Sequence, residues 1–249
     1  MERTTRPMQL LVTVAHPDDE TFGMGSVLAH AAASGVEARV ICATRGELGE
    51  PAIDIGETPL GVVREAELRA AAAILGVVDV ELLDYLDSGV DGEPAEGSLA
   101  AADTHDVARV LAARIERLQP DVVIMADGSD GHRDHVAMRD ATLAALHTTR
   151  WQPARTYMWC MPRSVLSAFL PYTDMGTPDE TVTTVVDVGH HIPLRWEAMR
   201  AHASQTPPFD AMPAEMQHSF LATDHFVRVD PPFTGEAIES DWIPDVEVG

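Results

Sequence analysis

The chain has 249 residues, 45% of them hydrophobic and 23% charged, and a formal net charge of −23 at pH 7. That charge disfavours nucleic acid and anionic membrane surfaces as partners, and no apolar run approaches the ~20 residues of a membrane span. All 17 basic residues are arginine, which excludes a lysine Schiff base, a lysine nucleophile and the lysine of a P-loop.

Leu10 to Ala15 reads as a short buried strand. It runs directly into His16-Pro17-Asp18-Asp19-Glu20, where a helix is expected from Asp19 through Ser34, with Gly35 as its stop. A second strand is expected over Glu37 to Thr44, then Arg45-Gly46-Glu47 and a Pro/Gly-rich loop at 51–61. The alanine-rich stretch Val62 to Leu75 favours helix, and Val78 to Leu83 a third strand, followed by a polar loop at 87–103. Val107, Val110, Leu111 and Ile115 recur at helical spacing in Thr104 to Leu118, which Pro120 ends. Asp121 to Ala126 reads as the fourth strand, then a helix from about His132 to His147 and a strand near Thr156 to Met161.

Strands alternating with helices predict an α/β fold, with a Rossmann-like, mostly parallel sheet and helices on both faces. The last third is expected to be an irregular C-terminal extension: a strand over Thr181 to Val188, a helix over Leu194 to Ser204, a short strand over Phe226 to Val229, and Pro-containing connectors at 163–180 and 206–213. No repeat or linker divides the chain, so one domain over 1–249 is expected, with its core at 1–161 and the extension at 162–249 on the substrate side. Cys42 and Cys160 read as buried free thiols. The N-terminal residues carry no secretory apolar stretch, so the expected location is the cytoplasm.

Parallel sheets bind ligands at the carboxyl ends of their strands, and the polar clusters after strands one to four all fall there. An unpaired buried carboxylate costs several kcal/mol, so the density of charge at 16–20 requires a purpose. His16 and Asp19 read as ligands of a divalent metal, with Asp18 left free for proton transfer. A hydrolytic metal site commonly has three protein ligands and one open position. His132 and His135 share one helix face at i and i+3, and His135 completes the expected ligand set. His190-His191 reads as a polar loop, because adjacent side chains diverge, and the segment around Met212 and Met216 reads as packing.

The pieces Ala15-His16-Pro17-Asp18-Asp19-Glu20, Thr44-Arg45-Gly46-Glu47, Asp87-Ser88-Gly89, Gly131-His132-Arg133-Asp134-His135 and Ala201-His202-Ala203-Ser204-Gln205 together resemble the PIG-L/LmbE superfamily of zinc-dependent N-acetylglucosaminyl deacetylases. The resemblance implies Zn2+ on His16, Asp19 and His135, with Asp18 as general base. Fe2+ or another divalent ion is compatible with the same donors. It also implies that His132, oriented by Asp134, polarises the carbonyl or protonates the leaving amine, and that Glu47, Arg64 and Asp87 hold sugar hydroxyls or shape the site. The expected reaction is removal of an acyl group, acetyl in the family, from an N-acyl amino sugar or related small conjugate; a homo-oligomer is compatible with the sequence. Two positions depart from the family pattern: Asp130 stands where a tyrosine is common, and Arg133 where proline is usual. The first removes a hydroxyl donor to the developing oxyanion, an interaction worth about 2.7–4 kcal/mol.

Two rival readings are a metal phosphoesterase and a non-catalytic sugar- or nucleotide-binding module. The first has only Arg45, Arg64 and Arg133 near the strand ends to hold phosphate. The second lacks a Gly-rich loop after strand one and gives no reason to retain Asp18.

Overall fold

The computed structural model describes residues 6–169, 175–210 and 212–243. The N-terminal stretch read as lacking a secretory signal, and parts of both Pro-containing connectors, therefore lie largely outside the described residues. The strands are β1 (Gln9–Val14), β2 (Glu37–Cys42), β3 (Asp79–Leu82), β4 (Val122–Ala126), β5 (Arg155–Cys160), β6 (Thr184–Asp187) and β7 (Thr223–Asp230). The helices are α1 (Asp19–Phe22), α2 (Gly25–Ala33), α3 (Leu60–Ile74), α4 (Thr104–Leu118), α5 (Arg133–Thr148), α6 (Arg163–Phe169), α7 (Ile192–Ala201) and α8 (Ala214–Leu221).

All seven strands form one sheet in the order β3-β2-β1-β4-β5-β7-β6. The first five run parallel, and β7 lies antiparallel to both β5 and β6. The C-terminal stretch is thus less irregular than expected, because β6 and β7 extend the sheet of the core. Helix α6 falls inside the connector expected at 163–180, and α8 in a stretch for which no element is expected. Both are short, of seven and eight residues, and isolated helices of that length are marginal, so tertiary packing decides them.

Alternation along β1 sends Leu10, Val12 and Val14 into a core with Val27, Leu28 and Leu68, while Leu11 enters a second core with Leu111, Ile115 and Ala141. Both faces are covered, so β1 reads as a continuous apolar run. The Thr13 hydroxyl, buried on the second face, bonds the Thr142 hydroxyl at 3.1 Å. Strand order reverses between β1 and β4, which flank each other, and a crevice opens at such a switch point beyond the strand ends. The chain leaves β1 into 15–20 and β4 into 127–135 at that crevice.

The helix expected over Asp19 to Ser34 is broken at Gly23 and Met24 into α1 and α2. A side chain at Gly23 would lie 2.9 Å from the Asp19 carbonyl. The buried guanidinium of Arg195, from α7, donates to the carbonyls of Thr21, Phe22 and Gly23. These groups would otherwise be orphaned at a helix end.

Candidate metal centre and active site

Asp19 opens α1, and its Oδ2 accepts hydrogen bonds from the backbone N–H groups of Ala15 (3.1 Å) and His16 (2.8 Å). That holds the β1–α1 turn and leaves Oδ1 facing His135 Nε2 at 3.2 Å. His16 Nδ1 lies 3.3 Å from His135 Nε2 and 3.7 Å from Asp19 Oδ2. Around a tetrahedral ion with bonds of about 2.0–2.1 Å, ligand atoms stand about 3.3–3.4 Å apart. Asp19 meets the two rings through different oxygens, Oδ1 toward His135 and Oδ2 toward His16, so the three expected ligands are brought together at spacings close to those of a tetrahedral ion.

The other ring nitrogens are held from behind. His16 Nε2 faces Asp134 Oδ2 at 3.1 Å and Asp87 Oδ1 at 3.6 Å. Asp134 is fully buried and also accepts from the backbone N–H (2.9 Å) and hydroxyl of Ser88. His135 Nδ1 meets Asp130 Oδ2 at 2.5 Å. Such carboxylate–imidazole pairs fix ring orientation and raise ligand basicity. Two groupings whose donor atoms all converge share His16: His16 with His132 and His135, and His16 with Asp87 and Asp134. The second uses Nε2 of His16, the nitrogen already occupied by its carboxylate supports.

The electrostatics suit a dication. Burial alone would depress both imidazoles, yet hydrogen bonds to Asp134 and Asp87 and the charge of Asp19 push His16 up to about 9. His135 is likewise depressed by burial but carried up to about 11 by Asp19 and Asp130. Burial opposes the ionised form of Asp19, but the charge of His135, its hydrogen bond and His16 hold that carboxyl well below the usual range. A field that favours protons on two buried imidazoles is negative enough to favour a divalent cation in place of those protons.

Asp18 lies beside the triangle at φ 126. Its backbone N–H donates to Glu20 (2.9 Å), and its carboxylate pairs with Arg64 at 2.9 Å. Burial raises the Asp18 carboxyl to about 7 against the opposing charge of Arg64. Arg64, 4% exposed, also donates to the carbonyls of Gly46 and Pro17. Gly46 sits at φ 61, and a Cβ there would fall 2.2 Å from the Arg64 guanidinium, so glycine is required. The resemblance implies that Arg64 holds sugar hydroxyls or shapes the site; its guanidinium here pairs with Asp18 and donates to two carbonyls.

Glu47 and Asp87 are joined to each other. Glu47 Oε1 accepts from the Asp87 backbone N–H (3.0 Å), and Asp87 accepts from Gly89 (2.8 Å) and Leu48 (3.3 Å). Glu47 Oε2 is buried without a hydrogen-bond partner. Asp134 was expected to orient His132, but its carboxylate goes to His16 and Ser88. His132 is instead fixed through Nδ1, which accepts from the backbone N–H of Asp134 at 3.2 Å. The neutral ring then carries its proton on Nε2. Burial, with His16 and His135 nearby, lowers the His132 pKa and favours that neutral form.

Sequence reasoning missed three supports. Ser88 and Asp130 hold second-layer bonds that no local pattern announces. His202, part of a family-like piece with no role assigned above, is buried with its Nε2 2.7 Å from Glu20 Oε1. The neighbouring Ser204 is bound to Glu67 through its N–H (2.8 Å) and hydroxyl (2.6 Å). His190 and His191, expected to diverge, have ring centroids 3.8 Å apart, and their nitrogens converge with His30. Met212 packs, as expected, against the cluster of Ile192, Met199, Phe209 and Leu221, and also lines a cavity beside the centre. Among the described residues, no helix is long and apolar enough to cross a membrane.

The profile of a family described as PIG-L, GlcNAc-PI de-N-acetylase, matches residues 11–146. A curated relative from Geodermatophilus obscurus, named 1D-myo-inositol 2-acetamido-2-deoxy-alpha-D-glucopyranoside deacetylase, is 34% identical over 98% of this chain and 99% of its own. One of the same name from Mycolicibacterium gilvum is 35% identical over 97% of each. Among solved structures, N,N'-diacetylchitobiose deacetylase from Pyrococcus horikoshii superposes with a TM-score of 0.68 at 18% identity, covering 90% of this chain and 84% of that one. At that identity the likeness speaks for the fold.

Proposed function

Because this chain belongs to the PIG-L family of de-N-acetylases, we propose that it is a zinc-dependent deacylase that releases the amine of an N-acyl amino sugar or a small conjugate of one. The observation that carries this reading is the triangle of His16, Asp19 and His135 with Asp18 beside it. When bound there, a divalent ion polarises the amide carbonyl and acidifies a water molecule.

The chain's own groups supply the remaining chemistry. Asp18, raised toward neutrality by burial, accepts the proton of the attacking water, and a base is most effective with a pKa near the working pH. Its pairing with Arg64 fixes the carboxylate's direction. The Nε2–H of neutral His132 donates to the carbonyl oxygen as negative charge develops there, a role the Asp130 substitution leaves without the family's tyrosine. Asp134 and Asp130 orient the two imidazole ligands. The unpartnered Glu47 Oε2 is an acceptor for a sugar hydroxyl. Two buried, unbridged cysteines accord with a reducing compartment, the cytoplasm.

The phosphoesterase rival loses support because its three arginines are engaged. Arg45 binds Glu65 and Asp84, Arg64 binds Asp18, and Arg133 donates to the carbonyls of Val90 and Gly92. The test is a panel of N-acylglucosamine conjugates and phosphate monoesters, assayed for free amine and phosphate. Amine release that stops with chelator and returns with Zn2+ is expected; phosphate release without amine would overturn the reading.

A further inference from the structure

A cavity of about 420 Å³ adjoins the metal triangle, with Asp19, Asp130 and His135 in its wall. Away from those three residues its wall is largely apolar, formed among others by Phe22, Trp159, Leu166, Phe209 and Met212. Asp127 also lines it, but its carboxylate is occupied by the Ser129 N–H (3.0 Å) and by the hydroxyls of Ser129 (2.9 Å) and Thr177. No arginine stands among the described residues of the wall. Trp159, Leu166, Phe209 and Met212 all lie beyond residues 11–146, the stretch matched by the family profile.

The two sides of the metal triangle differ in chemistry. Asp18, Glu47, Arg64, Asp87 and His132 are absent from the cavity wall. Asp18, Glu47, Asp87 and His132 come from the loops that follow β1 to β4, and Arg64 from α3. An N-acyl amino sugar has the same asymmetry about its scissile bond, with hydroxyls on the amine half and carbon on the acyl half. An acetyl methyl is about the bulk of one water, ~30 Å³, so acetyl leaves most of this volume unfilled. Pockets that bury a drug-sized ligand begin at roughly 300 Å³.

Resting on the deacylase reading above, the geometry points to an acyl subsite: the cavity receives the acyl half of the substrate, and that acyl group is an apolar chain or ring larger than acetyl. A straight chain of roughly eight carbons, at ~30 Å³ each, occupies a little over half of the space.

The test uses the zinc-loaded wild-type protein and glucosamine acylated with two, four, six or eight carbons. Burial of each methylene is expected to raise kcat/KM roughly three- to fourfold until the cavity fills. A second series keeps the acetyl group and exchanges a methyl for an octyl aglycone. Replacing Leu166 by Trp, which narrows the cavity, is expected to lower the octanoyl-to-acetyl ratio of kcat/KM tenfold or more. Octanoate should also inhibit the wild-type protein more strongly than acetate, a comparison that does not depend on the variant folding. A flat or falling acyl series, or a gain that follows the aglycone instead, overturns the acyl subsite while leaving deacylation standing. Absence of turnover with every acylglucosamine overturns the deacylase reading itself.

Discussion

Asp18 adopts a backbone conformation, φ 126, that a non-glycine residue keeps only when its surroundings over-determine it. Glu20 holds its N–H and Arg64 its carboxylate, so the strain is balanced by bonds that fix one side chain beside the candidate metal centre. Substituting Asp18→Asn preserves shape and removes the proposed base. The expected result is unchanged metal content with kcat lower by about 10²–10⁴-fold, read by elemental analysis and steady-state kinetics on the same preparation. Asp130 acts one layer further out, through His135. Asp130→Asn should weaken metal binding by about 10–100-fold, measured by competition with a chromogenic chelator. The electronic spectrum of the Co2+-substituted protein should change as well, which a merely structural role would not require. His16, Asp18, Asp19 and His135 were legible from residue types crowding two strand ends. Asp130, Ser88 and the true partner of Asp134 were not, because each bond joins a loop to a side chain whose direction depends on the fold.

At the scale of elements, the decisive feature is the short α1, ended by Gly23 and capped by a buried arginine from α7. A single helix through residue 34 would satisfy local propensity, but the Arg195 bonds to three carbonyls favour the break. The same two elements are tied by Glu20 and His202, 0% and 1% exposed. Removing one member of a buried ion pair leaves the other charge uncompensated. His202→Ala is therefore expected to cost about 3–5 kcal/mol, read as a lower denaturation midpoint at constant slope. Loss of Asp18 positioning through Glu20 should accompany it, as a fall in kcat at temperatures where the variant remains folded. Periodicity found α4 at its observed bounds and placed β1 to β5 within about two residues, while α6 and α8 were missed. Long periodic elements carry their own signal; seven- and eight-residue helices take theirs from what they pack against.

Across the whole molecule, the sheet's strand order explains why residues 16–19 and 132–135 meet. β1 and β4 are neighbours at the point where connections diverge to opposite sides, so both loops open onto one crevice. A second histidine cluster, His30, His190 and His191, sits where α2 meets the turn before α7, with His30 bound to Asp241 at 3.0 Å. Burial, reinforced by His190 and His30, pushes the His191 imidazole down to about 4 from 6.5. A folded pKa below the unfolded one means that the unfolded chain takes up the proton first. The stability from this group is therefore complete above pH 6.5 and is lost as pH falls from 6.5 toward 4. His191→Gln should flatten that part of the acid limb in a chemical-denaturation series across the window.

By itself the sequence determined the α/β class, the alternation of elements through residue 160, and that His16, Asp19 and His135 belong to one candidate site. Those properties rest on local periodicity and on residue types too costly to bury without purpose. Tertiary structure alone decided that the C-terminal strands join the same sheet, that Arg64 serves Asp18, that Asp134 serves His16, and that an apolar cavity adjoins the metal triangle. Each depends on the direction of side chains brought together from distant parts of the chain, and neither spacing nor composition encodes direction.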